Sequence, residues 1–384
     1  AAAPLIDCRS EDWSSTLGNL QSPTVCSLHL SLRLFFPCMP LFSLSHRTLL
    51  LSLSWLVLLL IGLHLFVGSV WMTPQEVGAA LGDAARSLLG DREMSSAIGQ
   101  EIVVHHRLTI ALTAALSGAA LGGSGLFTQT LFRNPLADPS LLGINAGAAL
   151  GAALAMMVVG SVSVLTGFTL TVLSALLGAL VVLSVLLSVS RRLASATAVL
   201  LVGVMLSFMV SSVLAILAHR ASADGLRHYQ LWLLGDCTSV SWLQLPLFAL
   251  AISLLLLLTI RQLRVLDAWL LGDVYAQSLG ISVDRERFRL LGVVGLLSAV
   301  VTALCGPIAF VGLAAPHAAR LVSHQGAHQR LLPLTLLMGS ALLLFCQLVA
   351  RLPLWGEAQL PLNAVTPLVG APIMVLLLLQ HRPR

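Results

Sequence analysis

Apolar residues occur along this chain in long blocks, with polar residues confined to the short stretches between them. A helix needs about 20 such residues to cross a hydrocarbon core about 30 Å thick. The blocks predict ten membrane spans, at 48–71, 108–132, 140–159, 161–188, 195–218, 240–260, 288–305, 306–322, 331–350 and 363–380. Residues 1–45 have a different texture, with mixed polar and apolar positions, several prolines and Cys8, Cys26 and Cys38. They carry no ordered n-region, h-region and cleavage site, which argues against a signal peptide. The expected organisation is a tail over 1–45, flexible or lying upstream of the true start, and a ten-helix membrane domain over 46–384. The expected fold class is an all-α membrane protein.

Composition agrees and narrows the energy source. A hydrophobic share of 57%, a charged share of 10% and a mean hydropathy of +0.95 exclude a soluble domain, in which about 25% of residues are charged. All 21 basic residues are arginine, so no lysine exists to serve a P-loop. The predicted spans hold no Asp or Glu in their interiors, which counts against a proton- or sodium-coupled carrier. Both absences place the energy source in another subunit. Twelve arginines fall in one set of loops with the C-terminal tail, against six in the other. Positive loops stay inside, so both termini are expected in the cytoplasm. His64 and Gln129 are the notable polar residues at depth, and packing between helices accounts for the histidine. Cys305 and Cys346 read as small buried residues; no C-x-x-C spacing suggests a metal site.

Three stretches carry more specific information. Gln129-Thr130-Leu131-Phe132-Arg133-Asn134-Pro135-Leu136-Ala137-Asp138-Pro139 joins the second and third spans. Its prolines end one helix and open the next, and Asp138 suits a helix cap. Gly306-Pro307 interrupts the apolar pattern where a helix must break, tolerated in a membrane only where protein or a water-filled cavity covers the freed backbone. Gly306 to Gly312 and Leu313 with Pro316-His317 and Ala319-Arg320 form the second stretch. The third is Leu360-Pro361 with Val365-Thr366 and Gly370-Ala371-Pro372. Together these resemble the signatures of the FecCD, or BtuC-like, family, the permease subunits of binding-protein-dependent ABC importers for iron–siderophore complexes, heme and vitamin B12. The resemblance runs from about residue 48 to the C-terminus.

What the resemblance implies is a transport subunit and not an enzyme, in a bacterial inner membrane, working as a homodimer. Two cytoplasmic ATPase subunits would bind ATP-Mg, and a periplasmic or extracellular binding protein would deliver the cargo; this chain would hold no cofactor and meet no nucleic acid, only lipid and those partners. The expected cargo is an iron chelate, a ferric siderophore or heme, with cobalamin as the alternative and an ion-coupled carrier behind both. A cytoplasmic helix over Leu271–Ile281 would sit in the ATPase, through Gly272, Asp273, Ala276, Ser278, Leu279 and Gly280. Arg133, Asn134, Pro135, Leu136, Asp138 and Pro139 form the inner family motif. Arg107 and Arg351 would meet the binding protein, although the second arginine of the family's usual outer pair is absent. Met205, Ser207, Met209, Gly306, Pro307 and Gly312 are the pathway candidates.

Overall fold

Ser45 opens the first helix by accepting a hydrogen bond from the Thr48 N–H at 3.3 Å, a side-chain N-cap. From there the computed structural model describes residues 45–68, 72–88, 101–159, 164–193, 195–323, 326–352 and 359–380; the tail expected over 1–45 falls, but for Ser45, outside them. Fourteen α-helices occur among the described residues. They are α1 His46–Phe66, α2 Pro74–Leu88, α3 Thr109–Leu131, α4 Ile144–Ala153, α5 Val164–Ser190, α6 Ala196–Arg220 and α7 Ala223–Leu233. The series continues with α8 Leu245–Ile260, α9 Leu263–Leu270, α10 Asp273–Ser278, α11 Val283–Cys305, α12 Val311–Ser323, α13 His328–Ala350 and α14 Leu362–Gln380. A π-helical turn, Glu101–Leu108, leads into α3, and another, Leu154–Val159, extends α4.

Every predicted span coincides with a helix. Among the described residues, six helical segments are long and apolar enough by themselves to cross a bilayer: α1, the continuous Glu101–Leu131 segment, α5, α6, α11 and α13. The pair α8 and α9, bent by 52°, passes the same test only when the two are taken together as one broken span. The first span ends at Phe66, short of 71. The sixth starts at Leu245, later than 240, because Pro246 sits in its first turn and Cys237–Ser239 forms a separate 3-10 turn. The polar-faced helices α2, α7 and α9 lie outside the expected spans, since they are too short to produce an apolar block.

Lipid tails are as apolar as leucine, so close packing, not the hydrophobic effect, must hold such helices together. The sequence supplies this through glycine. α3 is buried on nearly all sides. A Cβ at Gly118 would lie 2.3 Å from the Gly339 carbonyl oxygen of α13, and one at Gly125 would lie 1.8 Å from that of Gly312 in α12. No side chain fits at either position, so the backbones touch. The same device joins α4 to α5, where a Cβ at Gly151 would stand 1.9 Å from the Ser174 carbonyl oxygen. Polar groups add fixed points. The Asn145 Oδ1 of α4 accepts from the Ser298 and Thr302 hydroxyls of α11, both at 3.0 Å.

Candidate functional site

The helix expected to meet an ATPase forms as α10 and is shaped by the glycines on either side of it. Gly272 precedes it at φ +119°, and Gly280 follows at φ +79°, with open space around both Cβ positions. Their necessity is conformational, since L side chains avoid this region. The Gly280 N–H donates to the Gln277 carbonyl at 2.9 Å and the Ile281 N–H to that of Ala276 at 3.1 Å, the Schellman pattern that closes a helix. Ala276 faces the bundle, fully buried, while Val274 is 82% exposed and Leu271 and Leu279 also face outward. The Ser278 hydroxyl is turned back to the Tyr275 carbonyl at 2.7 Å. A rigid turn thus presents apolar side chains outward at a polar edge of the molecule, a surface suited to a protein partner.

Asp273 locks this turn to the inner motif. Its Oδ1 accepts from the Trp269 indole at 2.6 Å and from the Arg133 guanidinium, while Oδ2 lies 4.0 Å from Arg287. Arg133 also donates to the Trp269 carbonyl at 3.1 Å. Residues 140 positions apart therefore form one unit. Arg133 itself stands at φ +46°, where a Cβ costs about 1–2 kcal/mol. Its N–H donates to the Thr130 carbonyl at 3.2 Å and the Asn134 N–H to that of Gln129 at 3.1 Å. This is a second Schellman closure, with arginine where glycine is usual. Beyond it the Asn134 Oδ1 accepts from the Leu136 N–H at 2.9 Å, Pro135 and Leu136 stay exposed, and Asp138 caps the Ser140 N–H at 2.9 Å with Pro139 in the first turn. Burial raises the Asp138 carboxyl above its ordinary range, against the Ser140 hydrogen bonds that lower it. A Cβ at Gly312 would stand 3.0 Å from Pro139 and 3.1 Å from the Asp138 carboxylate, so the motif rests on α12.

A further polar network links the same region to the core, and sequence reading missed most of it. His328, buried at the start of α13, places Nδ1 2.6 Å from the Asp267 Oδ1 of α9 and Nε2 2.8 Å from the Thr130 hydroxyl of α3. The His328 N–H donates to the same carboxylate at 2.8 Å. Gln129 accepts from the Arg320 guanidinium at 2.5 Å and donates to the Leu313 carbonyl at 3.3 Å. Separations of 61 to 198 positions hide these partners from any local pattern. The clue in the sequence was an aspartate and a histidine beside apolar blocks.

At the opposite ends of α1 and α13 the two expected docking arginines are both interior. Arg107 is 3% exposed and donates to the Leu65 and Phe66 carbonyls at 2.8 and 3.0 Å, capping α1, with its guanidinium against Gly68. Arg351, 6% exposed, ends α13, and Asp236 is the acid that opposes the effect of burial on it. Asp236 caps the Thr238 N–H at 2.8 Å, and its own N–H donates to the Cys305 carbonyl at 2.8 Å. A hydrogen bond with the Cys305 thiol, then burial, raises the Cys237 thiol well above its usual value.

The pathway candidates fall into two groups. Met205 and Met209 are exposed on one face of α6 together with Leu201 and Phe208. Ser207 faces inward, its hydroxyl donating to the Gly203 carbonyl at 3.0 Å beside Gly143. Gly306 stands at φ +71°, and a Cβ there would meet the Trp232 carbonyl at 2.5 Å; Pro307 follows in the nonhelical stretch before α12. Asn363, which sequence reading passed over, holds that stretch by accepting from the Ala309 N–H at 3.2 Å and donating to the Leu233 carbonyl at 3.1 Å. Gly312 lies buried between α3 and the inner motif.

Comparison with known proteins supplies the frame for this geometry. The sequence model of the FecCD transport family matches residues 56–380. A vitamin B12 import system permease protein BtuC of Vibrio cholerae is 35% identical over 321 residues, 83% of this chain and 90% of that one. Its counterpart in Escherichia coli O157:H7 is 36% identical over 331 residues, 86% and 94% of the two chains. A solved structure described as a metal-chelate type ABC transporter in an inward-facing conformation superposes with a TM-score of 0.74 at 26% identity, covering 88% of this chain and all of that one.

Proposed function

The chain belongs to the FecCD transport family, as a multi-pass permease subunit of an ABC importer in the bacterial inner membrane, and on that premise we propose that it carries a bulky, shielded metal chelate inward. The observation that carries the reading is the α10 turn, held to the inner motif by Asp273 and exposing Val274, Leu271 and Leu279 where an ATPase subunit would press. ATP-Mg would act in that partner, and motion of α10 would reach α3 through Arg133 and through the Asp267–His328–Thr130 contacts. The arginine bias supports a cytoplasmic side for α10 and for both termini in this reading. A second copy of the chain would complete the pathway, with the exposed apolar faces of α5 and α6 available to it.

Within the chelate class we favour a ferric siderophore or heme. Cobalamin is the second reading, favoured by the relatives named for vitamin B12 import. Proteoliposomes holding this chain, the ATPase subunits and the loaded binding protein test the mechanism. Uptake should need ATP; uptake under a proton gradient without the ATPase would refute the importer reading. The absorbance of the ligand retained by the binding protein encoded beside this gene separates the cargoes, because a ferric charge-transfer band, a Soret band and a corrin spectrum differ.

A further inference from the structure

Where α8 ends and α13 begins, a cavity of about 690 Å³ is lined by Ile260, Arg261, Leu263, Arg264, Gln329, Leu332, Pro333 and Leu336. Its size lies within the roughly 300–1,000 Å³ of ligand sites. The two kinds of lining are segregated by chain position. Ile260 is the last residue of an apolar span, and Leu332 and Leu336 stand in the first turns of another. Arg261 and Arg264 follow immediately where the apolar run stops, and both are exposed. Among the described residues no carboxylate pairs with either arginine, and the nearest acid in sequence, Asp267, is held by His328. Behind the apolar wall, Leu336 and Leu256 converge on Gly123 of α3, where a Cβ would lie 3.0 and 3.2 Å from them, so the floor is closed by close packing.

We propose that this groove is a seat for one anionic glycerophospholipid, its phosphate held by Arg261 and Arg264 and its acyl chain laid along Leu332 and Leu336. Guanidinium groups match phosphate oxygens with paired N–H donors. Two cations without a carboxylate beside them select a net-negative headgroup over a zwitterionic one. The placement of charge just beyond an apolar span is the one that anionic headgroups meet at a membrane surface. The proposal needs only that the chain spans a membrane; it does not depend on the cargo or on which side α10 faces.

The test uses the purified full chain in nanodiscs of phosphatidylcholine with phosphatidylglycerol, read by native mass spectrometry of the lipid it retains. Wild type should retain phosphatidylglycerol preferentially. The pair Arg261→Gln and Arg264→Gln should lower that preference about twenty-five-fold, from roughly five-fold per charge near an anionic surface. The control pair Arg192→Gln and Arg285→Gln, exposed arginines outside the groove, should leave it unchanged. Unchanged retention in the first pair, or an equal loss in the control, overturns the proposal. So does a first pair that keeps its lipid but loses affinity for the ATPase subunits, which would make the groove a protein seat. In wild type, phosphatidylglycerol with a photoactivatable acyl chain should label the peptide containing Leu332 and Leu336; labelling confined to other helices also overturns it.

Discussion

Replacing Arg133 by glycine and, separately, by alanine divides its two contributions, a strained backbone and a charged tie to α10. The backbone at φ +46° costs about 1–2 kcal/mol for any residue with a Cβ. Glycine relieves that but loses roughly 0.5–1 kcal/mol in unfolded-state entropy. The side chain contributes a half-exposed ion pair with Asp273, 46% and 43% exposed, worth about 0–1 kcal/mol after solvent screening. Its hydrogen bond to the Trp269 carbonyl adds about 1 kcal/mol. Alanine should therefore cost about 1–2 kcal/mol, and glycine about 0.5–1 kcal/mol less than alanine. Thermal melts of the detergent-purified transporter should rank wild type, glycine, then alanine, with gaps of roughly 1–2 °C for a chain of this size. ATP hydrolysis stimulated by the loaded binding protein should behave differently, falling alike in both variants because both lose the tie to α10. Alanine as stable as glycine would refute the strain argument. Full stimulation in both variants would refute the role of the Arg133–Asp273 contact in coupling.

Gly280→Val should leave assembly intact, since nothing lies within 4 Å of the added Cβ, yet strain the closure of α10 by about 1–2 kcal/mol. The expected result is ATP hydrolysis no longer matched by uptake in proteoliposomes; a normal ratio of the two would count against the α10 assignment. Arg107→Ala should destabilise the chain by about 1.5–3 kcal/mol through the lost charged hydrogen bonds to Leu65 and Phe66. A melting temperature equal to wild type with weakened binding-protein affinity would show that the arginine serves docking in place of capping α1. The raised Asp138 carboxyl gives a pH signature. A carboxyl whose folded value exceeds its unfolded one binds more protons when folded, so stability falls as pH rises from the ordinary carboxylate range through the raised value. Asp138→Asn should flatten melting temperature across that interval, and an unchanged slope would remove Asp138 as its source.

Much of the helical layout was legible because a bilayer leaves few choices. Backbone groups in lipid must be satisfied within the segment, so a long apolar block has to be a helix. The break at Gly306-Pro307 was legible for a related reason, and α11 ends at Cys305 with α12 starting at Val311. The glycines of 118–125 announced close packing without naming their partners. Gly339 and Gly312 emerged as those partners only when the helices were brought together. α7 and α9 left no such trace, because short helices with a polar face resemble loops in a hydropathy pattern.

For the site, local turn chemistry carried Asp138 as a cap, since capping depends on residues within a few positions, whereas the left-handed closure at Gly280 emerged with the structure. Arg107 and Arg351 show the opposite case. A charge at the end of a span reads alike whether it faces outward or inward, and that both arginines are interior, with Arg107 donating to the Leu65 and Phe66 carbonyls, emerged only in the folded chain. By itself the sequence determined an all-helical membrane protein, its approximate spans and its lack of a phosphate-binding lysine, because hydropathy and residue identity act locally. Only tertiary structure decided that Asp273 would join Arg133, that His328 would bridge Asp267 and Thr130, and that two arginines would line an apolar groove between α8 and α13. Those contacts join segments far apart in the chain, and the glycine-mediated approach of backbones, which no local pattern encodes, sets where each side chain arrives.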